Sequence, residues 1–325
     1  MQNAEYKMLT EFKVGHFTDL QKGTGCTIIL PPQENVAAAA VRGAAPGTRE
    51  IALLAPDKKI HRIHALVLTG GSAFGLGCAQ GVMESLAEQG IGYFTHYGLV
   101  PIVPAAVIYD KNLGDSAAFP TAEDGRTALQ AATFNNTAQG NVGAGTGASV
   151  GKWLGMEHAM KSGIGIAALE HKGVKVTALT VVNAAADILN KDGSLLAGAV
   201  DEQGNFLADT ERPWLRWEQA QIGMAENTIL TAVMTNAKIR KEQAFYLAER
   251  AHFGIARRVE PSHTGYDGDT VFVVSSLRVE SNLDFLATMV VSAVEQSIIN
   301  GVVSAEEAFG LKTVQSVQSL RRSEK

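Results

Sequence analysis

Apolar residues in this chain come in two rhythms, and the change from one to the other marks its elements. Ile63-His64-Ala65-Leu66-Val67-Leu68 is a short continuous apolar run that ends at Gly70-Gly71, the signature of a buried strand. Phe74 to Gln89 then switches to helical spacing, with Leu76, Ala79, Met83 and Leu86 on one face. Pro101 to Tyr109 reads as extended and Ala122 to Phe134 as helical. Ser162 to Asn183 reads as two strands around a His171-Lys172-Gly173 turn, and Lys191-Asp192-Gly193 closes another hairpin. Thr228 to about Asn236 is a strand. A helix from Lys241 follows, carrying Ala244, Leu247, Ala248 and Ala251. Val271 to Ser275 is the next strand. Ser281-Asn282-Leu283-Asp284 reads as a capping box opened by Ser281, leading a helix through Leu286, Met289, Val290, Ala293 and Val294. Strands and helices alternate to the end, which predicts an α/β or α+β fold of layered sheets and helices.

Composition narrows this picture. The 325 residues are 46% hydrophobic and 19% charged, enough to fill a large core and too apolar for disorder. The length suits two domains or one large α/β domain. Net charge is −5, with 28 basic residues against 33 acidic, which argues against a broad nucleic-acid footprint. Cys26 and Cys78 lack metal-like spacing and read as small buried hydrophobes in a reducing compartment. Met1-Gln2-Asn3-Ala4-Glu5-Tyr6-Lys7 is polar and lacks a signal h-region, and no stretch approaches about 18 uninterrupted apolar residues. The expectation is a cytoplasmic protein with no membrane partner.

Several patterns resemble ligand motifs and fail on spacing. No frame of Gly70-Gly71-Ser72-Ala73-Phe74-Gly75-Leu76-Gly77 gives the dinucleotide fingerprint, although the loop could present backbone N–H groups to a carbonyl. In Gly143 to Lys152, Thr146 and Trp153 occupy places where a P-loop needs Gly and Ser or Thr. That leaves a tight glycine loop followed directly by a lysine, Lys152, as a candidate to line a site. The eight histidines form no ligand pattern and the Asp-Gly-Asp segment is no EF-hand, so neither a metal nor any cofactor is expected.

One junction invites chemistry. A polar run, Gln221 to Asn227, gives way at once to the β-prone run from Thr228 to Val233. Thr228 is either the first residue of a strand or a buried nucleophile that becomes a new N-terminus after the chain cuts itself. A threonine hydroxyl needs a base, and an N-terminal threonine has one in its own α-amine, with a reference pKa of ~7.7–8.0. It also needs a carboxylate to orient it, and an amide and a glycine-loop N–H to hold an oxyanion. Asp267-Gly268-Asp269, about forty residues on, supplies two carboxylates flanking a glycine, although the same tripeptide also makes an ordinary turn before a strand.

The chain resembles the DmpA-type aminopeptidase/amidase family, which shares a fold with ornithine acetyltransferases and includes nylon-oligomer hydrolases. The likeness runs through Val14-Gly15-His16, Thr24 to Thr27, Val41 to Glu50, Leu68 to Leu76, Val103 to Asp110, Gly143 to Lys152, Glu226-Asn227-Thr228 and Asp267-Gly268-Asp269-Thr270. It implies a four-layer αββα sandwich of the N-terminal-nucleophile type, as a single self-processing domain over residues 1–325. It also implies cleavage between Asn227 and Thr228 into fragments 1–227 and 228–325, with Thr228 as nucleophile. Asp267 and Asp269 would orient it, Lys152 would lie in the pocket, and Asn183 would stabilise the oxyanion. Tyr109 would line the substrate site, with the Gly70-Gly71-Ser72 loop beside it. The substrate would be a small peptide or linear amide, and the assembly a homotetramer of two-fragment units. L-aminopeptidase members carry serine at the junction and a glutamate two residues before the tyrosine. This chain has Thr228 and Val107, which resembles the nylon-oligomer hydrolase branch. Two other readings remain: an acyltransferase of the ornithine acetyltransferase type, in which an amine takes the acyl group, and an unprocessed, non-catalytic binding scaffold.

Overall fold

The computed structural model describes residues 10–209, 214, 218 and 227–323. The N-terminal Met1 to Lys7 and the polar run Gln221 to Glu226 lie outside them. Eleven strands build two central sheets. The first contains β1 (Lys13–Asp19), β2 (Thr24–Leu30), β4 (Thr48–Arg49), β5 (Leu66–Thr69), β6 (Ala105–Val107) and β7 (Thr133–Phe134), in the order β4-β6-β5-β2-β1-β7. The second contains β3 (Val36–Val41), β8 (Ile164–His171), β9 (Val174–Asn183), β10 (Thr228–Ala237) and β11 (Thr270–Val279), in the order β8-β9-β10-β11-β3. Helices α1 (Cys78–Glu88) and α2 (Ala122–Gln130) cover the first sheet, and α3 (Lys241–Ala256) and α4 (Leu283–Val303) cover the second.

The strand sequences explain why the sheets stack. Successive side chains on a strand point to opposite faces, so a strand buried on both sides must be apolar throughout. All ten residues of β10 are buried. Leu230, Ala232 and Met234 join Leu179, Val181, Phe272 and Val274 in the layer between the sheets, with Leu66, Leu68 and Ala106 from the opposite sheet. Ile229, Val233 and Ala237 face the other way, onto Ala244, Leu247, Ala248 and Ala251 of α3 and Leu286, Val290 and Val294 of α4. A third apolar layer joins Ile28, Val67 and Ala105 to Ala79, Val82 and Leu86 of α1 and Ala128 of α2, and it holds Cys26 and Cys78, both buried and free. Three apolar interfaces separate four layers, α-β-β-α, as the sequence resemblance implied. β10 and β11 run parallel, joined through α3, whereas β9 runs antiparallel to β10.

Most predicted elements hold, and the differences have local causes. The helix expected over Phe74 to Gln89 is a four-residue turn, Ser72–Gly75, followed by α1. The segment from Ala122 stops being helical at Gln130 and becomes β7, which pairs with β1 through Thr133 and Phe134. Helix α4 is capped by Asn282 and not by Ser281: the Asn282 side chain accepts the Phe285 N–H at 2.9 Å. Helix α4 is also long and apolar enough to cross a membrane, but it packs on β8, β9 and α3 with Leu286, Val290, Ala293, Val294 and Ile298 in the core.

Candidate active site

The strand order puts Thr228 at one end of the second sheet with a neighbour on each side. On β9, Asn183 stands directly opposite Thr228 in the antiparallel register. On the other flank, Asn227 makes a parallel bridge to Asp267, and Asp267-Gly268-Asp269 leads straight into β11. Thr228, Asn227, Asn183, Asp267 and Asp269 are all buried. Residues separated by up to 86 positions (269 − 183) thus meet because three strands have their ends at the same edge.

The peptide bond between Asn227 and Thr228 lies inside this constellation. The Thr228 hydroxyl makes a short contact with the Asn227 carbonyl oxygen. The Gly268 N–H donates to the same oxygen at 3.0 Å. A Cβ added at Gly268 would lie 2.9 Å from Thr228 Oγ1 and 2.8 Å from Ala45 O, so glycine is needed for close approach. The backbone of residues 42–45 braces the tripeptide: the Arg42 N–H donates to Asp269 O at 2.8 Å and the Ala45 N–H to Asp267 O at 2.9 Å.

The two aspartates differ in their surroundings. Asp269 Oδ1 accepts the Ile229 N–H at 2.7 Å, one residue past the junction, and Oδ2 faces His263 Nδ1 at 2.8 Å. Asp267 accepts the Thr264 N–H at 2.5 Å. Burial, then the neighbouring charge of Asp269, pushes the Asp267 carboxyl up to about 6.

Asn183 is oriented by Lys152. An ammonium has donors and no acceptors, so the 2.8 Å contact from Lys152 Nζ identifies Oδ1 of the amide. The Ser149 N–H also donates to Oδ1, at 3.2 Å, and Nδ2 donates to the backbone carbonyl of Tyr109 at 2.9 Å. Lys152 is 1% exposed. Burial lowers its amine to about 7, against the opposing pull of Asp267 and Asp110. The glycine loop before it provides the path: Gly151 has φ 73°, and a Cβ there would fall 2.1 Å from the carbonyl carbon of Gly198.

Three features carry little sequence signal. Asp110, buried beside Tyr109, accepts the Gly71 N–H at 2.7 Å and the Thr24 hydroxyl at 2.8 Å. Burial raises its pKa. A second buried lysine, Lys161, donates to the carbonyls of Gly145, Ala148 and Ser162, and burial lowers it to about 7. His263 is the third. The glycine loop differs from expectation: the N–H groups of Gly70, Gly71 and Ser72 donate to Gly25 O, Asp110 and Ile108 O respectively. These three N–H groups are therefore engaged within the fold, whereas the Gly268 N–H points at the Asn227 carbonyl oxygen. Among the described residues no group of His, Cys, Asp and Glu has metal-site geometry.

The four-layer sandwich is a fold of the N-terminal-nucleophile hydrolase type. Solved structures agree: a β-aminopeptidase of Burkholderia sp. has a TM-score of 0.71 at 19% identity, covering 96% of this chain and 91% of its own. The L-aminopeptidase D-Ala-esterase/amidase of Ochrobactrum anthropi also has 0.71, at 18% identity, over 97% and 92%. Residues 9–316 match peptidase family S58, and the chain belongs to that family. An uncharacterized aminopeptidase of Mycobacterium leprae is 36% identical over 294 residues, 84% of this chain and 78% of that protein. A 6-aminohexanoate-oligomer endohydrolase of Kocuria sp. is 30% identical over 263 residues, 79% of this chain and 70% of that protein. The protein is a hydrolase acting on peptide or amide bonds.

Proposed function

We propose that the chain cuts itself between Asn227 and Thr228 and then uses the exposed Thr228 to hydrolyse amide bonds of small peptides or linear amides. The observation that carries this reading is the hydroxyl of Thr228 held against the Asn227 carbonyl, whose oxygen receives the Gly268 N–H at 3.0 Å. In the first step Thr228 Oγ bonds to the Asn227 carbonyl carbon and the C–N bond breaks. The departing nitrogen takes the hydroxyl proton, leaving an ester and a free α-amine. Water hydrolyses the ester, giving fragments of 227 and 98 residues (325 − 227 = 98) that stay paired through β9 and β10.

The new α-amine forms one residue from the Ile229 N–H held by Asp269. Asp269 therefore orients the amine, which acts as base toward Thr228 Oγ. Asp267 and Lys152, one carboxyl pushed up and one amine pushed down, place proton-exchanging groups near neutrality around the threonine. Lys152 fixes Asn183, whose amide Nδ2 stabilises the substrate oxyanion with the Gly268 N–H. Tyr109 and the Gly70-Gly71-Ser72 loop line the substrate side, and buried Val107 leaves no carboxylate there for a substrate amine. The names of the relatives support amides and oligoamides as substrates. The reading includes a homotetramer of two-fragment units in the cytoplasm, acting without a cofactor.

Denaturing mass spectrometry of the purified protein tests the reading. Two fragments are expected, the smaller beginning at Thr228, while Thr228→Ala stays as one inactive chain. A wild-type protein that remains uncut through prolonged incubation overturns it.

A further inference from the structure

His263 plays no part in the mechanism above, yet its environment is built. It lies six residues before Asp269 with φ 57°, a left-handed backbone conformation uncommon outside glycine, in which histidine, asparagine and aspartate are enriched. Its Nδ1 is 2.8 Å from Asp269 Oδ2. Asp269 is 1% exposed, and among the described residues its ion pairing involves His263 and no lysine or arginine. Behind His263 stands His252 of α3, ring centroids 4.9 Å apart and edge-on at 74°. His252 Nε2 is 3.2 Å from Ala40 O, so that nitrogen carries the proton. The rear contact therefore fixes the His263 ring without competing for Asp269. Facing a carboxylate, His263 Nδ1 is a donor. Its Nε2 is buried and has no hydrogen-bond partner among the described residues.

Asp269 has two oxygens with separate tasks: Oδ1 receives the Ile229 N–H, and Oδ2 receives His263. Without the second contact the carboxylate could rotate about its Cβ–Cγ bond and release the strand start that carries Thr228. We infer that His263 is a positioning residue: it donates Nδ1–H to Asp269 and thereby aims Oδ1 at the start of β10, where the Thr228 α-amine forms. His252 holds the ring in place from α3. The inference rests on the proposed function and extends it to a residue that touches neither the junction nor the substrate.

The test compares His263→Leu with His263→Asn. Asparagine puts an amide N–H close to the Nδ1 position and tolerates the left-handed backbone; leucine keeps the bulk and removes the donor. Self-cleavage is followed by intact mass, and kcat and KM are measured on a dipeptide amide. His263→Leu is expected to lower kcat by about 10- to 100-fold, with KM changed by less than about 3-fold, and to slow self-cleavage; His263→Asn is expected within about 3-fold of wild type. Wild-type kinetics in folded His263→Leu overturn the inference, as does a folded His263→Asn whose kcat falls more than about 10-fold. The second criterion stands even where the leucine variant does not fold. An uncut, inactive wild-type protein would sink the proposed function instead, which keeps the two failures apart.

Discussion

Gly268→Ala tests the centre of the proposed self-cleavage with one methyl group. The new Cβ would lie 2.8 Å from the Ala45 carbonyl oxygen and 2.9 Å from Thr228 Oγ1. Real Cβ contacts are longer, so the segment must shift by a few tenths of an ångström. The Ala45 carbonyl cannot swing aside freely, because residues 42–45 are tied to Asp267 and Asp269 by their own N–H groups. The yielding parts are the Thr228 hydroxyl and the 3.0 Å hydrogen bond from Gly268 N–H to Asn227 O. Deleting an oxyanion donor costs roughly 10²–10³ in rate, or about 3–4 kcal/mol. Stretching one while displacing the nucleophile should cost about half of that, ~1.5–2 kcal/mol, a 10- to 30-fold slower cut. Overpacking adds a stability loss of about 1–3 kcal/mol, so folding is checked by thermal denaturation. The assay is the fraction of the 98-residue fragment against time, by intact mass, on freshly purified uncut protein. A folded Gly268→Ala that matures at the wild-type rate would refute the claim that Gly268 N–H and Thr228 Oγ converge on the scissile carbonyl.

Lys152→Met should abolish most amide hydrolysis, by about 100-fold or more, because the Asn183 amide loses the donor that orients it. The same variant carries a pH signature. The folded pKa of Lys152, about 7, is below that of the unfolded chain, so the unfolded state binds the extra proton between about pH 7 and 10.5. Stability therefore gains from this group as pH rises through that window. In Lys152→Met the slope of urea-derived stability against pH should be shallower there by up to about 1.4 kcal/mol per pH unit; an unchanged slope would show that the lysine is not buried as described. Asp110→Asn replaces an acceptor serving both Gly71 and Thr24, and should lower stability by about 1–3 kcal/mol in denaturant titration while disturbing the Gly70-Gly71-Ser72 loop. At the start of α4, Asn282→Ala should cost about 1 kcal/mol and leave kcat alone, whereas Ser281→Ala should cost under about 0.5 kcal/mol; a reversed order would restore Ser281 as the cap.

The legible part of the site is the part with distinctive local chemistry. A threonine at a polar-to-apolar junction, an Asp-Gly-Asp before a strand, and a lysine after a glycine loop each stand out in a short window. Asn183 stood out through the resemblance alone, since one asparagine at the end of an apolar strand has no local mark. Asp110 and Lys161 were illegible because their meaning is burial, and a charged residue is read as exposed until the fold encloses it. The helix end at Gln130 has no local mark for a similar reason: Thr133 and Phe134 are strand only because β1 offers an edge to pair with.

Periodicity by itself determined the layered α/β character of this chain and the apolar faces of α1, α3 and α4, because side-chain direction repeats every 2 residues in a strand and every 3.6 in a helix. Family likeness added the αββα order and the expected roles of the residues around the junction. Which atoms face one another was decided only in three dimensions. Register places Asn183 across from Thr228, a parallel crossover through α3 returns Asp267-Gly268-Asp269 to the other flank, and the Gly268 N–H, not those of Gly70 and Gly71, points at the Asn227 carbonyl oxygen. Such pairings depend on the relative positions of distant strands, and no local window of sequence contains them.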